Sequence, residues 1–93
     1  MQLQFTQYFD EAYRAFGDRD ATEVDAMLDR LEVEHEQPHM RNVITVGSVA
    51  LFATPRFEGP GGTYRITWQY DESGQPTIIT CVTVAKADRK YPT

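Results

Sequence analysis

The sequence predicts an α+β domain: a short N-terminal strand, an antiparallel helical hairpin, and a mostly antiparallel sheet, in the order β-α-α-β-β-β. Three observations carry this. Apolar residues recur at helical spacing as far as Leu31. After His39 the period drops to two and β-branched and aromatic residues take over. Pro38 stands at the changeover, where a helix must end. No repeat, low-complexity stretch or linker interrupts the chain, so residues 1–93 form a single domain.

The elements follow in order. MQLQFT alternates Leu3 and Phe5 with polar neighbours, a strand signal. In TQYFDEAYRAFGD, Phe9, Ala12, Tyr13 and Phe16 share one helical face, with Thr6 as N-cap and Gly17 as stop. In DRDATEVDAMLDRLEVEHEQP, Asp20 and Glu23 have capping-box spacing, and Val24, Met27, Leu28 and Leu31 share a face. Both helices keep acidic residues on the outer side. MRNVITVGSVALFATPRF then reads as strand, with Gly47-Ser48 a tight turn or bulge inside it. EGPGG reads as a flexible loop. TYRITWQYD alternates Tyr64, Ile66, Trp68 and Tyr70 on one face with Thr63, Arg65, Thr67 and Gln69 on the other. DESGQP is a turn, and TIITCVTVA has the continuous apolar character of a strand buried on both faces.

Charge is unevenly placed. The chain carries −5 overall. Residues 1–40 hold three arginines against ten carboxylates, a net −7; residues 41–93 hold six cations against four carboxylates, a net +2. Such asymmetry points to an anionic partner for the second half. The closing VAKADRKYPT gathers Lys86, Arg89, Lys90 and Tyr91 directly after the last strand. If the aromatics of TYRITWQYD pack under the helices, Arg65 projects from the uncovered face. Arg56 and the terminal cations then join it in one positive patch. A single cysteine excludes an internal disulfide, and no stretch approaches the ~20 apolar residues of a membrane span. The N-terminus lacks the basic and apolar regions of a secretory signal. The expected compartment is the cytoplasm, with no membrane partner.

The order β-α-α-β-β-β in this length resembles the RelE/ParE toxin superfamily of bacterial toxin–antitoxin systems. The amphipathic pair over residues 6–37 is similar, as is GTYRITWQYDESG, which matches a Gly-x-Tyr-Arg strand followed by a hairpin. VAKADRKY is similar to a closing pattern of Val, one residue, His or Lys, a polar stretch and Tyr. The resemblance implies a RelE-like fold and a metal-independent, cofactor-free endoribonuclease that cuts messenger RNA on the ribosome and is neutralised by a cognate antitoxin. It implies catalytic roles for three residues: Arg65 on the scissile phosphate, Lys86 at the His/Lys position, and Tyr91 stacking on or orienting a base. A guanidinium suits the first role because its planar fork binds phosphate oxygens as charge builds. Arg56, Arg89 and Lys90 are the implied RNA contacts. The chain departs from the family in being acidic, and Ala87 stands where active relatives carry another arginine. Lys86 acts as a base near pH 7 only if its pKa of ~10.4 is depressed by burial or by neighbouring cations. The alternative implied by the same resemblance is a ParE-like inhibitor that binds DNA gyrase without catalysis, or a non-catalytic relative.

The remaining polar residues read structurally. His35 and His39 flank Pro38 in an acidic loop with no second ligand cluster, so they suggest surface rather than metal. Glu11, Asp25 and Asp29 are solvated helix face. Cys81 lies mid-strand and reads as a buried inert thiol.

Overall fold

A computed structural model describes residues 3–84; Lys86, Arg89, Lys90 and Tyr91 lie outside the described residues. The fold is α+β, two helices against a mixed six-stranded sheet. The elements are β1 (Gln4–Phe5), α1 (Gln7–Arg14), α2 (Asp18–Glu34), a 3₁₀ turn (Pro38–Met40), β2 (Asn42–Val46), β3 (Val49–Ala53), β4 (Phe57–Gly59), β5 (Gly62–Tyr70) and β6 (Pro76–Val84). The sheet order is β1-β6-β5-β3-β2, with β4 also paired to β5. Only the β1–β6 pairing is parallel among the described residues.

Thr6 begins α1 as its sequence position predicts. Its hydroxyl accepts from Phe9 N at 3.3 Å and donates to the Ile79 carbonyl at 2.5 Å, so one side chain caps the helix and ties it to β6. The Ile79 carbonyl needs this donor because Ile79 is an extra residue: Thr67 faces Thr80 while Trp68 faces Ile78, a β-bulge. The helix-2 boundary differs from expectation. Gly17 is the N-cap of α2, not the stop of α1, which closes at Ala15. Asp20 therefore sits within the first turn. It is buried, and its carboxylate accepts from Gly61 N at 3.0 Å instead of capping its own helix.

The core lies between the helices and one sheet face. Phe9, Val24, Met27 and Leu31 pack down onto Ile66, Trp68 and Ile78, with Met40 closing one end. Trp68 is fully buried, and its indole N–H donates to the Met40 carbonyl at 2.8 Å. An indole can be buried without penalty only when its N–H finds such a partner. Truncating it to alanine would cost about 3–5 kcal/mol.

Gly47-Ser48 is a two-residue hairpin loop joining β2 to β3. Gly47 takes φ 64° while no non-glycine residue among those described has positive φ, the pattern of a type II′ turn. EGPGG is a second tight hairpin rather than a flexible loop: Gly59 pairs with Gly62 across Pro60-Gly61. The turn is fixed because Asp20 grips it from below. The last strand also departs from expectation. Pro76 and Ile78 are buried, but Thr77 and Ile79–Val82 are half-exposed and Thr83 is exposed. The helices cover one face only, so the apolar run of β6 is not sealed on both sides.

Candidate anion site on the helix-free sheet face

The alternation in β5 decides where Arg65 goes. Tyr64, Ile66 and Trp68 are buried against the helical layer, so Arg65 projects from the opposite face, beside Val82 of β6. It is half-buried there, flanked along its own strand by buried Thr63 and Thr67. The strand opposite bends at this point. β3 pairs with β5 through Ala53, β4 resumes at Phe57, and residues 54–56 leave the ladder. Thr54 repairs the gap: its N–H donates to the Ile66 carbonyl at 2.9 Å, and its hydroxyl accepts from Ile66 N at 3.1 Å. The remaining Thr54 carbonyl accepts from Arg65 Nε at 3.0 Å. Arg65 is thus held at the root by a buried strand bend, and its two Nη groups are the part of the fork suited to an anion.

Arg56 leaves the same bend, exposed. It lies close enough for its charge to act on Arg65, whose pKa is lowered first by burial and then by Arg56. Neither arginine forms an ion pair with a carboxylate among the described residues. Two guanidinium charges that act on one another without a paired carboxylate repel, and an incoming phosphate relieves that repulsion. The sequence places Arg65 and Arg56 on one surface, and the charge of Arg56 does act on Arg65. Lys86, Arg89, Lys90 and Tyr91 lie outside the described residues. Asp10, Glu11, Asp25 and Asp29 are exposed on the helical side. These four carboxylates therefore lie behind the sheet from Arg65.

A second polar cluster was not read from sequence. Tyr70 ends β5 at the rim of the core, and three groups converge on its hydroxyl. Arg41 Nη2 donates to it at 2.5 Å, His35 Nδ1 lies at 2.8 Å, and it reaches the His35 carbonyl at 3.3 Å. Arg41 Nε donates to that same carbonyl at 2.9 Å. The guanidinium carbon stands 5.2 Å from the Tyr70 ring centre and 5.9 Å from that of Phe52. His35 is edge-on to Trp68 and Tyr70. This cluster caps the C-terminal end of α2, where carbonyls lack helical partners, and clips it to the sheet. His35 is thus a half-buried partner of Tyr70 rather than a surface residue, whereas exposed His39 pairs with Glu34 at 2.7 Å. The signal available in sequence was Tyr70 itself, an aromatic with a polar tip at the end of an inward-facing stripe.

Among the described residues, no three His, Cys, Asp or Glu side chains converge in a way that holds a metal ion. Cys81 is half-buried, and its loss of solvent pushes the thiol up to about 12. It is no nucleophile at neutral pH. No helix among the described residues is long and apolar enough to cross a membrane. No protein-family model, no curated protein and no solved structure matches the chain.

Proposed function

We propose that this chain is a RelE-like toxin, a metal-independent endoribonuclease that cuts messenger RNA on the ribosome and is held in check by a cognate antitoxin. The observation that supports it is the Arg65–Arg56 pair. A half-buried guanidinium, rooted on the Thr54 carbonyl and within reach of the Arg56 charge, sits on the sheet face away from the helices. In the proposed reaction the 2′-hydroxyl of one nucleotide loses its proton and attacks the adjacent phosphorus. The bond to the next nucleotide's 5′-oxygen breaks, and that oxygen takes up a proton. A 2′,3′-cyclic phosphate is left. Arg65 stabilises the phosphorane's extra negative charge, and Arg56 positions the flanking phosphate. Lys86 would carry the proton transfer, its pKa depressed by neighbouring cations. Tyr91 would stack on a base, with Arg89 and Lys90 on the backbone.

A second reading is favoured by charge. The net −5 suits docking to a protein better than to polyanionic RNA, whose attraction depends on the number of cations. This is a ParE-like inhibitor that engages DNA gyrase without chemistry. Controlled expression of the chain and of its Arg65→Ala and Tyr91→Ala variants separates the readings. Translation arrest with cleaved message, abolished by Arg65→Ala, is the expected result. DNA damage with intact message supports the gyrase reading. Growth unaffected by the wild-type chain rejects both.

A further inference from the structure

The β2 strand is a sheet edge without the features that normally blunt one. Its five residues, NVITV, carry no charge, no proline and no bulge, and it pairs only with β3 among the described residues. The opposite edge is guarded differently: β1 is two residues long and runs straight into α1. Exposed β-edges in natural proteins carry lysine, proline, a bulge or a cover, because a row of unpaired backbone groups recruits any available strand. Here the edge is also flanked by apolar surface, with Val43 66% and Val49 53% exposed.

The hairpin register fixes which backbone groups face outward. Val46 and Val49 flank a two-residue loop and so form a hydrogen-bonded pair, which makes Ile44–Leu51 and Asn42–Ala53 the next such pairs. The N–H and C=O of Val43 and Thr45 therefore point to the free edge. These groups are self-complementary. If two copies pair antiparallel about a two-fold axis at Ile44, Val43 meets Thr45 of the other copy and exchanges both bonds with it, and Thr45 meets Val43 likewise. Every outward group of the strand is satisfied, and Asn42, Ile44 and Val46 stay on one face as they must.

We propose that β2 is a homodimerisation edge, joining the sheets of two copies into one continuous sheet. The occupant is a second copy because that register leaves no outward group of the strand unpaired. The uncharged stretch also brings no like charges together across the two-fold, in a chain that is otherwise negative. The axis is perpendicular to the sheet, so both helical layers lie on one side and both arginine pairs on the other. A single five-residue strand pairing puts the contact at or below the lower end of stable interfaces, ~1,200 Å² in total, so the dimer is a weak one that dissociates on dilution.

Thr45→Pro tests this without touching the β2–β3 ladder, since the amide it removes points outward. Sedimentation equilibrium of the full chain from about 5 to 500 µM should show the mass rising to two chains and stopping there. Thr45→Pro and Val43→Lys should weaken association at least tenfold while leaving thermal unfolding of the dilute protein nearly unchanged. In the wild type, the Val43 and Thr45 amides should be protected from exchange at high concentration and exposed when dilute. A wild-type chain monomeric throughout overturns the proposal, as does a dimer indifferent to Thr45→Pro or a mass that climbs past two chains. Protection of those two amides at every concentration, lost on deleting residues 85–93, would assign the edge to the chain's own terminus and overturn it as well.

Discussion

Placing a methyl group on Gly61 tests how the β4–β5 hairpin is held to α2. Gly61 does not have positive φ, so alanine meets no backbone objection there. Its Cβ would lie 2.5 Å from Asp20 Oδ2 and 2.7 Å from Tyr64 Oη. Both contacts are far inside van der Waals distance, so the carboxylate must swing away. Doing so breaks the 3.0 Å bond from Gly61 N, a hydrogen bond to a charged group. Such a bond is worth about 1.5–3 kcal/mol, and the loss of glycine's unfolded-state entropy returns about 0.4–1 kcal/mol. The net destabilisation is about 1–2 kcal/mol, which for a domain of this size lowers Tm by about 5–15 °C. The control is the same change in an Asp20→Ala/Tyr64→Phe background. With both obstructing oxygens gone, only the entropic term remains, and Gly61→Ala becomes neutral or stabilising by about 0.5 kcal/mol. Urea denaturation of the set gives the coupling directly. Equal costs in the two backgrounds would show that the Asp20 carboxylate and Tyr64 hydroxyl do not constrain the turn, and the account of the hairpin would fail.

Other consequences follow from the same geometry. Tyr70→Phe deletes the hydroxyl shared by Arg41 and His35 and should destabilise the fold by about 1–2 kcal/mol in urea, followed through Trp68 fluorescence. The Asp71 carboxylate accepts from the N–H of Gln75, the N–H and hydroxyl of Ser73, and Gln4 Nε2, and these hold its pKa down to about 2. Because the folded value is depressed, this turn's contribution is fully present above the ordinary value of 3.8 and is lost as pH falls towards 2. An NMR titration should place the midpoint near 2, and Ser73→Ala should raise it; an ordinary midpoint would contradict the hydrogen-bond set. Cys81 should resist thiol reagents at pH 8 in the native protein and react promptly once unfolded, and a fast native reaction would contradict its raised pKa.

The helices, the β5 alternation and the orientation of Arg65 were legible because each follows from local period. Phe9, Val24, Met27 and Leu31 mark their faces at helical spacing. A strand that sends Trp68 into the core must send Arg65 out of it. The same locality fixed Thr6 as a cap and Gly47-Ser48 as a turn. The arginine pair was legible only in part. Arg65 followed from alternation, but the adjacency of Arg56 depends on the bend at Thr54, where a side chain stands in for a ladder bond.

What the chain by itself determined was periodicity: which residues face inward, where the helices begin and stop to within a turn, and that charge divides between the two halves. Tertiary structure alone decided the rest, because those features are partnerships between residues distant in sequence. Asp20 looks like a cap until Gly61 arrives, forty-one positions later, to claim its carboxylate. His35 looks like loop until Tyr70 meets it, and EGPGG looks slack until α2 supports it. A local pattern records which face a side chain takes; which polar group it satisfies there depends on what the fold brings opposite.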